Sequence, residues 1–185
     1  VYDKAVEKIL AATKALKYGD PRDPACDVGP MIERSKAEEA YRKVQDAING
    51  GATVLCGGRL EGNLFEPTVL AGTTPDMRVN REEVFAPVIT VTPYDDFTGA
   101  IRMANDSRFG LQAGIFTQNI NRAMEAFVGL DVGGVIINDI PTFRVDQMPY
   151  GGAKASGLGR EGPRYAIEEM TEKRLMVINR EGGLS

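Results

Sequence analysis

Histidine is absent from the 185 residues. That removes self-contained Ser-His-Asp and Cys-His nucleophilic systems. It also removes the commonest zinc ligand sets, and no metal site is expected. Cysteine is nearly absent, with Cys26 and Cys56 as the two examples. Two lone thiols imply no disulfide framework and fit a reducing compartment, the cytoplasm. Neither reads as a nucleophile. Cys26 lies in a Pro/Asp loop, where neighbouring charge has the wrong sign to favour a thiolate. Cys56 closes an apolar strand, where a buried inert thiol is the default. No apolar run approaches the roughly 18 residues of a membrane-spanning helix. Lys and Arg form no cluster and the net charge is −4, which argues against nucleic acid and anionic membrane surfaces as partners. The opening Val1-Tyr2-Asp3-Lys4 has neither the apolar core nor the cleavage site of a signal peptide. It also lacks Met and runs at once into a helical pattern, as expected of an excerpt from a longer chain.

What is present suits one α/β domain in length. Such a chain buries roughly 70% of its unfolded surface, enough for a core without staples. The first 17 residues read as an amphipathic helix with Ala5, Val6, Ile9, Leu10, Thr13 and Leu16 on one face. It stops at the breaker cluster Gly19-Asp20-Pro21. Ser35-Lys36-Ala37-Glu38 predicts a capping box for a second helix, which turns Ala40, Tyr41, Val44, Ala47 and Ile48 inward and ends at Gly50-Gly51. Residues 52–56, 64–70, 88–92, 112–117, 135–138 and 174–178 read as strands or extended segments. Asp96 and Asn119 or Asn121 are expected to open further helices, and residues 163–170 a short one. Helix and strand alternate at βαβ spacing, which predicts a mostly parallel sheet with helices on both faces.

Glu82-Glu83-Val84-Phe85-Ala86-Pro87 is the stretch richest in chemistry. Adjacent acids often form no more than a solvated edge. A carboxylate at a turn into a strand can also accept hydrogen bonds from paired hydroxyls, as on a ribose, beside a flat aromatic wall. Strand-like alternation puts Glu83 and Phe85 on one face and Glu82 on the other. Residues 148–162 form a glycine-rich loop whose spacing fits neither the dinucleotide fingerprint nor the P-loop. Most of its glycines are read as backbone devices for positive φ and close approach. Tyr150 could wall a pocket. Glu161 could pair with Arg160 or sit behind an active site. Arg144 could pair with Asp146 or grip an oxyanion on a substrate.

The ordered set of markers resembles the C-terminal portion of the NAD(P)-dependent aldehyde dehydrogenase superfamily. They run from Gly19-Asp20-Pro21 and Asp27-Val28-Gly29-Pro30 through Gly50-Gly51-Ala52, Phe65-Glu66-Pro67-Thr68-Val69 and the Glu82 to Pro87 run. Ala104-Asn105, Phe109-Gly110-Leu111, Phe116-Thr117, Ile137-Asn138 and the glycine loop complete them. The resemblance implies a Rossmann-like α/β fold. Residues 1–165 would belong to the catalytic domain, and 166–185 to the end of a helix and an oligomerisation strand. It implies oxidation of a small aldehyde with NAD or NADP through a thiohemiacetal and thioester on a catalytic Cys, in a homo-oligomer. By the same resemblance Glu83 holds the nicotinamide ribose and Phe85 packs by the nicotinamide. Tyr150 lies in the substrate tunnel and Glu161 assists a proton relay. Phe143 and Arg144 fall where members acting on lactaldehyde, phosphonoacetaldehyde or succinate semialdehyde contact substrate, Arg144 as the anion contact. The family's nucleophile, its general base and its cofactor domain precede Val1, so these residues alone are expected to be inactive. The alternative is a non-catalytic assembly or dimerisation module. Ala86 stands where the family usually has Gly.

Overall fold

The computed structural model describes residues 1–179. The chain divides into two compact units, Val1–Gly99 and a second that begins at Ala100. The first holds α1 (Tyr2–Ala15), α2 (Arg34–Asn49), β1 (Thr53–Cys56), β2 (Leu60–Glu61), β3 (Leu64–Phe65), β4 (Thr68–Ala71), α3 (Arg78–Arg81) and β5 (Val88–Val91). Helix α4 (Phe97–Asn105) carries the chain past the division. The second unit holds β6 (Phe109–Gly110), β7 (Gln112–Ile115), α5 (Ile120–Gly129), β8 (Gly134–Ile137), β9 (Ala153–Lys154) and α6 (Pro163–Met170).

The core of the first unit forms around α2. Ala37, Ala40, Val44 and Ala47 recur at helical spacing and are fully buried. Val44, Ala47, Phe65, Leu70 and Val79 pack into one cluster with Ala52. Phe65 and Leu70 are completely enclosed, and each contributes about 1.5–3 kcal/mol by leaving water. The sheet order is β1-β4-β5. β1 joins β4 antiparallel, with a bulge between Val54 and Cys56. β4 joins β5 in parallel, Thr68 facing Val88 and Ala71 facing Val91. A parallel pair cannot be closed by a tight turn. The chain between them therefore makes an excursion, and that excursion contains α3 and the Glu82 to Pro87 run.

In the second unit β7 and β8 are parallel and β6 and β9 antiparallel. α5 connects the parallel pair. Asn119 caps it, its side-chain oxygen accepting from the Asn121 and Arg122 amides. Gly133 lies under β9's loop so closely that a Cβ there would sit 1.7 Å from the Gly151 carbonyl.

The α/β alternation agrees with the sequence reading, but the sheets are mixed rather than mostly parallel. Among the described residues β4–β5 and β7–β8 pair in parallel, whereas β1–β4, β2–β3 and β6–β9 are antiparallel. Three details differ. Helix α2 starts at Arg34 without a capping box, because the Ser35 hydroxyl donates to the Glu33 carboxylate (2.6 Å) instead of serving the helix. Two-residue ribbons β2–β3 and β6–β9 are too short to show a period in sequence. Residues 174–178 pair with no strand among the described residues, and Leu175, Met176, Val177 and Ile178 stand exposed. A lone strand has no ladder partner to define it within its own chain.

Candidate functional site

The excursion between β4 and β5 returns to the sheet at Pro87, whose carbonyl accepts from the Thr68 amide at 2.8 Å. Just before this, α3 ends on Glu82, and the two adjacent acids part company. The Glu82 carboxylate takes Arg78 at 3.0 Å and Lys43 at 3.2 Å. These partners, Arg78 first, hold its carboxyl down at about 2. Glu83 makes no ion pair among the described residues. Together with Val84 and Phe85 it forms one wall of a cavity of about 540 Å³. Pro30, Met31 and Ile32 form a second wall, and α2 supplies the third through Lys36, Glu39 and Lys43.

Phe85 is 83% exposed and has φ of 52°, a left-handed conformation that bulky side chains seldom adopt. The following turn is closed by the Val88 amide donating to the Ala86 carbonyl at 2.7 Å. The left-handed residue is thus Phe85 and not its neighbour. Ala86 lies outside the positive-φ region, so its methyl group meets no conformational penalty there. The cavity combines a carboxylate that makes no ion pair among the described residues with an exposed ring. That arrangement can accept two hydrogen bonds from vicinal hydroxyls and cover a flat heterocycle. Cys26 and Cys56 lie elsewhere: the Cys26 thiol donates to the Val28 carbonyl, and Cys56 is half-buried in β1.

In the second unit, Arg144, Tyr150 and Glu161 come together. Arg144 Nη2 lies 2.5 Å from Glu161 Oε2, and its guanidinium sits 4.7 Å above the centre of the Tyr150 ring. The Glu161 amide donates to the Tyr150 carbonyl at 2.6 Å, bridging the two backbones. Arg144 therefore pairs with Glu161 rather than Asp146. Arg160 does not pair with Glu161, because its guanidinium is spent on the Gly152 and Gly159 carbonyls at 2.9 and 2.7 Å. Phe143 is half-exposed, with its carbonyl receiving Gln112 Nε2. The glycine-rich loop is structural in its tightest places: a Cβ on Gly152 would stand 2.4 Å from Ser156.

Lys36 and Lys43 were missed by sequence reasoning. Lys43 gave one usable signal, a charge set within the inward stripe Ala40, Val44, Ala47.

The aldehyde dehydrogenase family matches residues 1–176. A 3-sulfolactaldehyde dehydrogenase of Priestia aryabhattai is 45% identical over 179 residues, which is 97% of this chain and 38% of the relative. Among solved structures, aldehyde dehydrogenase 21 of Physcomitrella patens, in complex with its reaction product succinate, superposes with a TM-score of 0.96. It is 42% identical, over 99% of this chain and 38% of that one. A glyceraldehyde-3-phosphate dehydrogenase of Methanocaldococcus jannaschii, complexed with NADP, is also 42% identical. Its TM-score is 0.87, over 91% of this chain and 36% of that one. The chain spans well under half the length of each.

Proposed function

The chain belongs to the aldehyde dehydrogenase family, and from that premise we propose that it supplies one wall of the cofactor site and part of the substrate site of an enzyme oxidising an aldehyde to a carboxylic acid. The observation that carries this reading is the cavity beside α2, where a Glu83 carboxylate without an ion pair among the described residues and an exposed Phe85 ring stand together. Glu83 accepts the nicotinamide ribose hydroxyls and Phe85 packs by the nicotinamide. NAD or NADP, when bound, receives the hydride. The nucleophilic Cys that forms the thiohemiacetal and thioester, and the Glu that activates water, come from outside these residues. Neither cysteine present lines the cavity.

Tyr150, Arg144 and Phe143 face the substrate, a small oxygenated or anionic aldehyde, and Glu161 supports proton relay to the base. The named substrates and products of the relatives, sulfolactaldehyde and succinate, are anionic and agree with a guanidinium in this position. The whole enzyme is a cytoplasmic homo-oligomer, with residues 1–165 in its catalytic domain and 166–185 in its assembly region. The exposed apolar residues 175–178 favour a second role for this chain by itself, that of an assembly module.

The test is aldehyde-dependent reduction of NAD or NADP by the full-length protein. Glu83→Gln is expected to raise the cofactor's KM about tenfold or more, the scale of a lost charge-assisted hydrogen bond. An unchanged KM sinks the assignment of Glu83. Residues 1–185 alone should produce no NADH or NADPH, and turnover by that chain would overturn the proposed division of labour.

A further inference from the structure

We propose that Lys43 is the positioning residue of the cofactor loop. This rests on the reading of Glu83 and Phe85 as contacts to the nicotinamide riboside. Lys43 is 4% exposed, on a helix face otherwise made of Ala and Val. A buried ammonium is tolerated when each of its protons has an acceptor. Here the Glu83 carbonyl accepts a hydrogen bond at 2.9 Å, and the Glu82 and Glu39 carboxylates form ion pairs with the ammonium at 3.2 and 3.5 Å. One of these partners is main chain, and it belongs to the residue proposed to grip the ribose.

The consequence is geometric. A cation fixed on α2 draws the Glu83 carbonyl inward, and this sets the orientation of the peptide that leads into Val84 and Phe85. Two residues on, the backbone is left-handed at a Phe, a conformation that persists only where its surroundings over-determine it. The Thr68–Pro87 hydrogen bond fixes the far end of the loop, and Lys43 fixes the near end. Glu82 is shared with Arg78, which also takes Asp46 of α2 at 3.1 Å. The alternating series Lys36, Glu39, Lys43, Glu82, Arg78, Asp46 thus ties α2 to the end of α3. Lys43 lies at its buried centre and touches the loop itself.

The experiment uses the full-length protein and reads the cofactor's Kd by calorimetry, the KM values for cofactor and aldehyde, and hydrogen exchange of the loop amides without ligand. Lys43→Met removes the donors and keeps the stem. It is expected to weaken cofactor binding about fivefold to tenfold, leave the aldehyde KM unmoved, and speed exchange in residues 83–86. Combined with Glu83→Gln it should be scarcely worse than Glu83→Gln alone, because both act through one contact. Lys43→Arg should recover part of the loss. A lysine that merely supports the fold lowers the melting temperature but leaves the cofactor's Kd unchanged in the folded fraction. That result, or full additivity, overturns the proposal. If Glu83→Gln itself has no effect, the ribose assignment fails first and takes this proposal with it. If Lys43→Met does not fold, Glu82→Gln takes its place. It loosens the shared carboxylate at a partly exposed position, and an unchanged Kd there overturns the proposal.

Discussion

The carboxyl of Glu82 is held at about 2 by Arg78 and then Lys43, against a usual 4.5. A depressed folded value means that the pairing stabilises the fold fully above about pH 4.5. That contribution is lost as pH falls from there toward about 2. Glu82→Gln should therefore lower the urea midpoint near pH 7, and the gap from the parent should close by about pH 2. An equal gap at both ends would rule the ion pairs out as its cause. The residue scale also carries a substrate prediction. In the full-length protein, Arg144→Ala should reduce kcat/KM for an anionic aldehyde roughly tenfold relative to a neutral one. Equal, unchanged values for both would end the anion-contact proposal. Because Arg144 pairs with Glu161, an anion bound there as proposed would compete with an existing carboxylate. The separation of Glu82 from Glu83 and Phe85 was legible, since Glu82 pairs with Lys43 and Arg78 while the other two line the cavity. It does not come from strand alternation, because the segment is no strand and Phe85 is left-handed. Lys43 was not legible, because the acceptor that explains its burial lies forty residues away in the chain and is a main-chain carbonyl.

Elements with a long period or a capping residue were read well. Asp96 accepts from the Gly99 amide at 2.6 Å at the start of α4, Asn119 caps α5, and α6 occupies the expected Pro163–Met170. Boundaries set by distant partners were read less well. The β6–β9 ribbon joins Phe109 to Lys154, and nothing in two residues of sequence records a partner so remote. The expected inward face of α1 buries no residue completely, whereas α2 buries five. Stability in the first unit should therefore depend on α2 and what it covers. Phe65→Ala should cost about 3–5 kcal/mol, measured by chemical unfolding followed on α-helical circular dichroism. A loss near zero would mean that the α2 core is not the stabilising one.

At the scale of the whole molecule, two units with separate sheets share one chain, and their division at Gly99 and Ala100 falls inside a helix that the sequence reads as continuous. The apolar residues 175–178 are 87, 80, 78 and 74% exposed. Unpaired backbone beside an apolar edge favours joining another chain. Size-exclusion chromatography of this chain should show concentration-dependent self-association, and Val177→Lys should weaken it. A monomer at every concentration would count against assembly through this segment. The parallel pairing of β4 with β5 has a further implication for how the site can vary. The stretch proposed to grip the cofactor is also the chain's only route between those two strands, so topology forbids its reduction to a tight turn. Lengthening it is cheap by comparison, since each doubling of a flexible loop adds only about 0.6 kcal/mol of closure entropy. Inserted residues should be tolerated in the stretch before α3, ahead of the anchored end at Glu82, whereas deletions should uncouple β5 from the sheet.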